Sequence, residues 1–299
     1  MKNLESDFRA WMGGVQARME TVLARLLPAP HIAPVRLHEA MRYAVLEGGK
    51  RVRPLLTFAA GELSGAAAEK LEIAAAAVEM IHAYSLVHDD LPCMDDDVLR
   101  RGKPTLHVEY DEPTALLAGD ALQALAFQII CEHRLADDPR VQLDMARTLA
   151  AAAGSRGMAG GQQIDLEATG GALSLPELEF MHIHKTGALI RAAIALGAAC
   201  GKLQQDEKPR LDRYAKAIGL AFQVVDDVLD YDASTATLGK TAGKDRKQGK
   251  PTYVSTIGLS AARSLAQELR AEAHAALEGL GAGARRLAEL ADFIVLRKF

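Results

Sequence analysis

Cysteine is scarce. Cys93, Cys131 and Cys200 are the only three in 299 residues, and none forms a CxxC pair. That spacing argues against a disulfide frame or a thiolate zinc site and fits a reducing, cytoplasmic setting. Runs of alternating β-branched residues are nearly absent, so there is little from which to build a sheet. No uninterrupted apolar run approaches membrane-spanning length: Asp120 interrupts the run after Ala115 and Arg191 the one after Ala188, so no membrane span is expected. The opening MKNLESDFRAWM carries acids and lacks the apolar core of a secretory signal. A basic block is missing too. With 35 basic and 39 acidic residues the formal net charge is -4, and no nucleic-acid partner is expected.

What remains is alanine and leucine, with apolar residues recurring at three- and four-residue spacing. The pattern predicts an all-α chain, with helices over 4–26, 35–47, 52–63, 67–91, 114–133, 139–153, 156–168, 176–200, 208–231, 260–278 and 284–296. The breaks between them are short (PAPHIAP, TGGALSLP, GLGAG), and none reads as an interdomain linker, so one domain over 1–299 is expected. The exception is 231–251, a polar stretch with glycines and four lysines, Lys240 and Lys244 among them. A long loop of this kind inside a compact domain is usually functional or disordered, and this one is read as a lid.

Charge is concentrated in one place. HAYSLVHDDLPCMDDDVLRRG (82–102) gathers Asp89, Asp90, Asp95, Asp96 and Asp97 just before Arg100 and Arg101. Two unit charges about 4 Å apart repel by roughly 4 kcal/mol at an effective dielectric of about 20. Carboxylates gathered this way call for a cation. Magnesium is commonly held by one or two carboxylates plus substrate phosphates, and guanidinium groups match phosphate bidentately. A solvated acidic loop explains one such cluster equally well. A second cluster changes the weighing: FQVVDDVLD (222–230) places Asp226 and Asp230 on one helical face, with Asp227 beside the first. Two clusters on otherwise apolar helices suggest opposite walls of one metal and phosphate site.

On the helix over 67–91, His82, Ser85 and Asp89 share a face at about 100° per residue, and Pro92 supplies a bend that lets Asp95 fold back toward Asp89. Tyr84, one step round from Ser85, is a candidate floor or wall of a cavity. Lys50, Arg51 and Arg53 sit in a GGKRVRP turn before a helix, where backbone amides also face anions, although such turns are often structural. Lys185, alone, reads as a snorkelling surface lysine, and Lys250 as an ordinary loop lysine. The His88-Asp89 dipeptide opens an alternative, an all-α metal-dependent phosphohydrolase, with His82 and His107 near; that site leaves the RRG group and the second aspartate cluster without a role.

Taken together, GGKRVRP (48–54), HDDLPCMDDDVLRRGKPT (88–105), GGQ (160–162), KT (185–186), FQVVDDVLD (222–230) and LGKTAGKD with GKPTY (238–253) resemble the trans-isoprenyl diphosphate synthases over nearly the whole chain. The resemblance implies a large helical bundle around a deep central cavity, usually as a homodimer. It implies that Asp89, Asp95 and Asp226 bind three Mg2+ ions (Mn2+ as an alternative) bridging to the allylic diphosphate, with Asp90, Asp227 and Asp230 as further ligands or supports. Arg100, Lys185 and Lys240 match residues that bind that diphosphate; Lys50, Arg53, His82 and Arg101 match those for isopentenyl diphosphate; Thr186 and Gln223 match polar groups facing the reacting carbons. The departing diphosphate is the implied base.

Four residues between Asp90 and Asp95, Pro92 among them, and a bulky Tyr84 with Ser85 beside it resemble the farnesyl diphosphate synthase subtype; geranyl and geranylgeranyl synthesis are the runners-up. Tyr84 is about 140° from Asp89 on an ideal helix, so its ring must lean inward for this reading. A terpene cyclase fits DDVLD poorly, and a non-catalytic regulatory relative lacks one of the two aspartate motifs that are complete here.

Overall fold

The computed structural model describes residues 2–46, 48–232 and 249–297, with side chains from Ser6 onward. Helices follow the apolar periodicity: α1 Lys2–Leu26, α2 Val35–Val45, α3 Val52–Leu63, α4 Ala68–Asp89, α5 Leu106–Glu109, α6 Glu112–Glu132, α7 Pro139–Ala153, α8 Met158–Ala168 and α9 Leu175–His182. Then come α10 Ala188–Ala199, α11 Glu207–Asp232, α12 Tyr253–Ile257, α13 Leu259–Leu277 and α14 Arg285–Leu296. Several starts have plain chemical causes. Asp111 accepts from the Thr114 amide (2.7 Å) ahead of Pro113 to open α6, and Asp138 accepts from the Arg140 amide (2.8 Å) ahead of Pro139 to open α7. Ser174 and Glu177 form a reciprocal box at α9.

At the centre lies α4. Every residue from Ile73 to Ile81 is buried, and solvent access returns only at His82, Ser85, Leu86, His88 and Asp89. Around it pack α1, α2, α3, α6 and α10, while α11 pairs with α13 and with α10. The aspartates thus sit at the C-terminal ends of α4 and α11. α6 is long and apolar enough to cross a membrane; it carries Asp120, and one side of it packs against α2, α4 and α7.

Two details depart from the helical expectation. A two-residue antiparallel pairing, β1 Leu99–Arg100 with β2 Lys103–Pro104, closes a tight turn whose central residues, Arg101 (φ 53) and Gly102 (φ 76), both adopt the left-handed conformation that such hairpins need. The helix expected over 176–200 is broken by a π-helical segment, Ile183–Gly187. One extra residue in a turn bulges the backbone, a device found mainly at functional sites. Here it carries Lys185 and Thr186. Glycine permits the fit: a Cβ at Gly161 of α8 would stand 2.1 Å from the Lys185 amide nitrogen.

Candidate active site

The first acidic wall is built by the end of α4 folding back on itself. The Asp95 amide donates to the Asp89 carbonyl (2.9 Å) and the Asp97 amide to that of Asp90 (3.2 Å), the return that Pro92 suggested. Burial pushes the Asp89 carboxyl up to about 6, Asp95 and Asp90 pushing the same way against Lys185 and Arg100. Asp90, expected among the metal ligands or their supports, is 3% exposed and taken up by Arg100, whose Nε and Nη2 reach it at 2.7 and 2.6 Å. Its place is therefore as support for the guanidinium.

On the second wall, Asp226 accepts from Arg297 Nη2 at 2.5 Å; the same guanidinium lies 4.2 Å from the centre of the Phe222 ring. Asp227 is 5% exposed and accepts from the Tyr253 amide (2.8 Å) and from Gln223 Nε2 (3.3 Å). Gln223 Oε1 in turn accepts from the Thr186 hydroxyl (2.9 Å). Asp230, one turn beyond Asp226, is half-buried. Asp227 is thus inward and structural, while Asp226 and Asp230 keep access to solvent.

Two lysines lie against the first wall. Lys185 Nζ is 2.6 Å from Asp165, and Lys250 Nζ is 2.7 Å from Asp95 and 3.5 Å from Asp165. Burial alone would raise the Asp165 carboxyl, but Lys185 and Lys250 hold it below its usual value. Asp165, Lys250 and Arg297 have no role in the sequence reading. Asp165 is an acid three residues after GGQ and Lys250 lies in GKPTY, so both were signalled; Arg297, near the end of the chain, was not.

A separate basin is cationic. The GGKR turn is clamped by Arg51, which is 4% exposed and reaches Glu79 (2.6 Å), Glu20 (2.5 Å) and the Val45 carbonyl (2.6 Å). Arg51 is therefore a strut. Lys50 is exposed, and the Arg101 side chain lies over the turn, so that a Cβ at Gly49 (φ +87) would fall 2.8 Å from its guanidinium. His82 is held well below its usual value, first by burial and then by Arg53, Arg101, Arg100 and Arg51. Positive charge crowded about a neutral imidazole suits an anionic ligand.

The chain-length candidates lie at the α4–α6 seam. Tyr84 is buried, its ring 5.7 Å from that of His88, and its hydroxyl is hydrogen-bonded to Gln123 of α6. Its ring leans toward α6. The Ser85 hydroxyl bonds to the His82 carbonyl (2.8 Å) and is spent within its own helix. His88 bonds to the Leu116 carbonyl (3.0 Å) and packs on Gly119, so it is turned away from the aspartates and the phosphohydrolase alternative loses its ligand. Lys240, Lys244 and the lid between Asp232 and Gly249 lie outside the described residues.

A hard cation fits this donor set. A carboxylate raised to about 6, first by burial and then by neighbouring carboxylates against Lys185 and Arg100, gains from a divalent charge brought beside it. Among the described residues no three acids or histidines converge into a ready-made cage. Mg2+ does not require one, since phosphate oxygens and water complete its shell. A cavity of about 650 Å³ elsewhere is not the central one expected: it opens between α7, α10 and the start of α11, where Leu211 is some 15 residues, about 22 Å, from Asp226.

Comparison with known proteins decides the family. The polyprenyl synthetase model matches residues 34–278. The chain belongs to the polyprenyl synthetase family. Within it, the chain is 51% identical to the farnesyl diphosphate synthase of Escherichia coli K12 over 97% of its own length and 99% of that protein's. It is 49% identical to the chloroplastic geranylgeranyl pyrophosphate synthase of Capsicum annuum, over 92% and 74% of the two chains. The fold matches the geranyltransferase of Helicobacter pylori, solved with magnesium and isoprenyl diphosphate, at a TM-score of 0.83, with 32% identity and 96% of each chain covered.

Proposed function

We propose that this polyprenyl synthetase, one domain over 1–299, joins isopentenyl diphosphate head-to-tail to dimethylallyl and then geranyl diphosphate, giving farnesyl diphosphate. The observation that carries the reading is the pairing of two unlike walls: carboxylates with Lys185 and Arg100 on one side, and the cationic basin of Lys50, Arg53 and Arg101 around neutral His82 on the other. Two diphosphates then have separate seats.

Three Mg2+ ions, or Mn2+ in their place, would be held by Asp89, Asp95, Asp226 and Asp230 and would stabilise negative charge on the departing diphosphate. Lys185 and Arg100 are placed to hold that diphosphate, with Lys240 added from the loop. Thr186 gives its hydroxyl proton to Gln223 Oε1, so the lone pairs of its oxygen are what it offers to the allylic cation. Arg53 and Arg101, with Lys50, hold isopentenyl diphosphate, and His82 serves it as a neutral hydrogen-bonding group.

The protein is further proposed to act as a cytoplasmic homodimer. Leu116 and Leu117 of α6 and Leu143 of α7 are 48, 55 and 72% exposed, an apolar surface that a second copy would cover.

The test is incubation of the pure protein with isopentenyl and dimethylallyl diphosphates, with and without Mg2+, followed by identification of the alcohols after dephosphorylation. Farnesol formed only with metal supports the proposal; geraniol or geranylgeraniol as the main product would reassign chain length, and no elongated alcohol would refute it. Lys50→Ala should raise the KM for isopentenyl diphosphate about 10- to 100-fold, the worth of one charge-assisted hydrogen bond, with little change for the allylic substrate; equal changes would contradict separate seats. Tyr84→Ala should open the α4–α6 seam and shift products beyond fifteen carbons, while an unchanged product would remove Tyr84 from length control.

A further inference from the structure

His182, the last residue of α9, sits where the π-helical segment begins, and nothing above gives it a role. It is 5% exposed, and neither ring nitrogen has a hydrogen-bond partner. An unpartnered buried imidazole weakens a fold, so the position calls for a reason other than packing. Its ring is fixed by stacking on Tyr253, with centroids 5.4 Å apart and planes inclined by 20°. The amide of that same Tyr253 donates to Asp227 Oδ2 at 2.8 Å. His182 Nε2 stands 3.9 Å from the same oxygen, roughly 1 Å beyond hydrogen-bond reach. Two groups from different helices, locked by one stacking contact, therefore converge on one carboxylate oxygen.

We propose that His182 is a positioning residue for the second aspartate motif: its Nε2–H is the reserve donor to Asp227 Oδ2. Through Asp227 it keeps α11 in the orientation from which Asp226 and Asp230 bind metal diphosphate. The ring is neutral, since burial and then the charge of Lys185 hold it far down, at about 3, against Asp165. A neutral imidazole has one N–H, and the nitrogen facing a carboxylate is the one that carries it. The other oxygen of Asp227 takes Gln223 Nε2, so α11 and α12 already hold the carboxylate and His182 of α9 stands 3.9 Å away as the third donor. This inference rests on the metal-diphosphate reading above.

The experiment compares wild type, His182→Phe and His182→Asn by melting temperature in rising Mg2+ at fixed inorganic diphosphate, alongside prenyl transfer. Phe keeps the stacked ring and loses the N–H; Asn keeps a donor and loses the ring. The Mg2+ concentration for half the thermal shift should rise at least about tenfold in His182→Phe, the usual effect of removing an outer support of a metal site. His182→Asn should stay within about threefold of wild type, and the KM for isopentenyl diphosphate should be unchanged in both. A His182→Phe protein that responds to Mg2+ like wild type would overturn the proposal, as would Asn failing as badly as Phe, since ring packing would then explain the loss. A wild type that ignores Mg2+ and diphosphate would overturn the functional reading and this one with it.

Discussion

Asp89→Ala is expected to lower prenyl transfer by at least about 10³-fold and yet to leave the metal-free protein folded and slightly more stable. The first effect follows from removing a group that faces the leaving diphosphate through metal, where lost electrostatic stabilisation typically costs two to three powers of ten or more. The second follows from the sign of its shift. Asp89 rises from 3.8 to about 6 in the folded chain, so ionising it is harder there than in the unfolded chain. Its contribution is neutral below about pH 4, turns destabilising as the pH climbs from there toward 6, and levels off above 6 at on the order of 3 kcal/mol in the absence of cations. Wild type should therefore melt below Asp89→Ala at pH 7.5 in EDTA, and the order should reverse when Mg2+ and diphosphate are added. A variant with near-wild-type turnover, or one less stable than wild type in EDTA, would refute this account.

Glu79→Ala should be the most damaging change away from the reacting groups. Glu79 is 2% exposed and 2.6 Å from Arg51, and removing it leaves a buried guanidinium with Glu20 as its remaining acid. Breaking a buried pair from one side costs about 3–5 kcal/mol, on the order of 10 °C in melting temperature for a chain of this size. Because Arg51 anchors the turn that carries Lys50 and Arg53, the KM for isopentenyl diphosphate should rise in the same variant. Glu79→Gln, which keeps the volume and an acceptor, should recover part of both. A Glu79→Ala protein melting within about 2 °C of wild type would show that Arg51 is not the strut described.

Sequence periodicity carried most of the helices because alanine and leucine at helical spacing, with Asp or Ser caps and first-turn prolines, leave the backbone few alternatives. Helix over 52–63 and 139–153 matches α3 and α7 residue for residue. The break at Ile183–Gly187 was hidden, since π-helical pairing arises from how closely α8 and α11 approach, and neighbouring glycines carry no such meaning in a linear reading. Charge clusters exposed both acidic walls in the same way: like charges adjacent in sequence must be adjacent in space. Asp165 and Arg297 escaped because their partners, Lys185 and Asp226, are 20 and 71 residues away; GGQ just before Asp165 was a local marker, and Arg297 has none. Asp90 and Asp227 looked like their neighbours in sequence and differ from them only in burial, a property of the assembled bundle.

The apposition of Arg100 with Asp90, Lys250 with Asp95 and Arg297 with Asp226 has a consequence for how ligands arrive. A divalent ion entering such a centre trades places with a resident side chain, and the evicted lysine or arginine then needs an anion, which a diphosphate supplies. Each ligand thereby makes room for the other. Reciprocity of binding free energies requires that either one tighten the other by the same factor, so that metal without diphosphate, or diphosphate without metal, meets a centre already in electrical balance with itself.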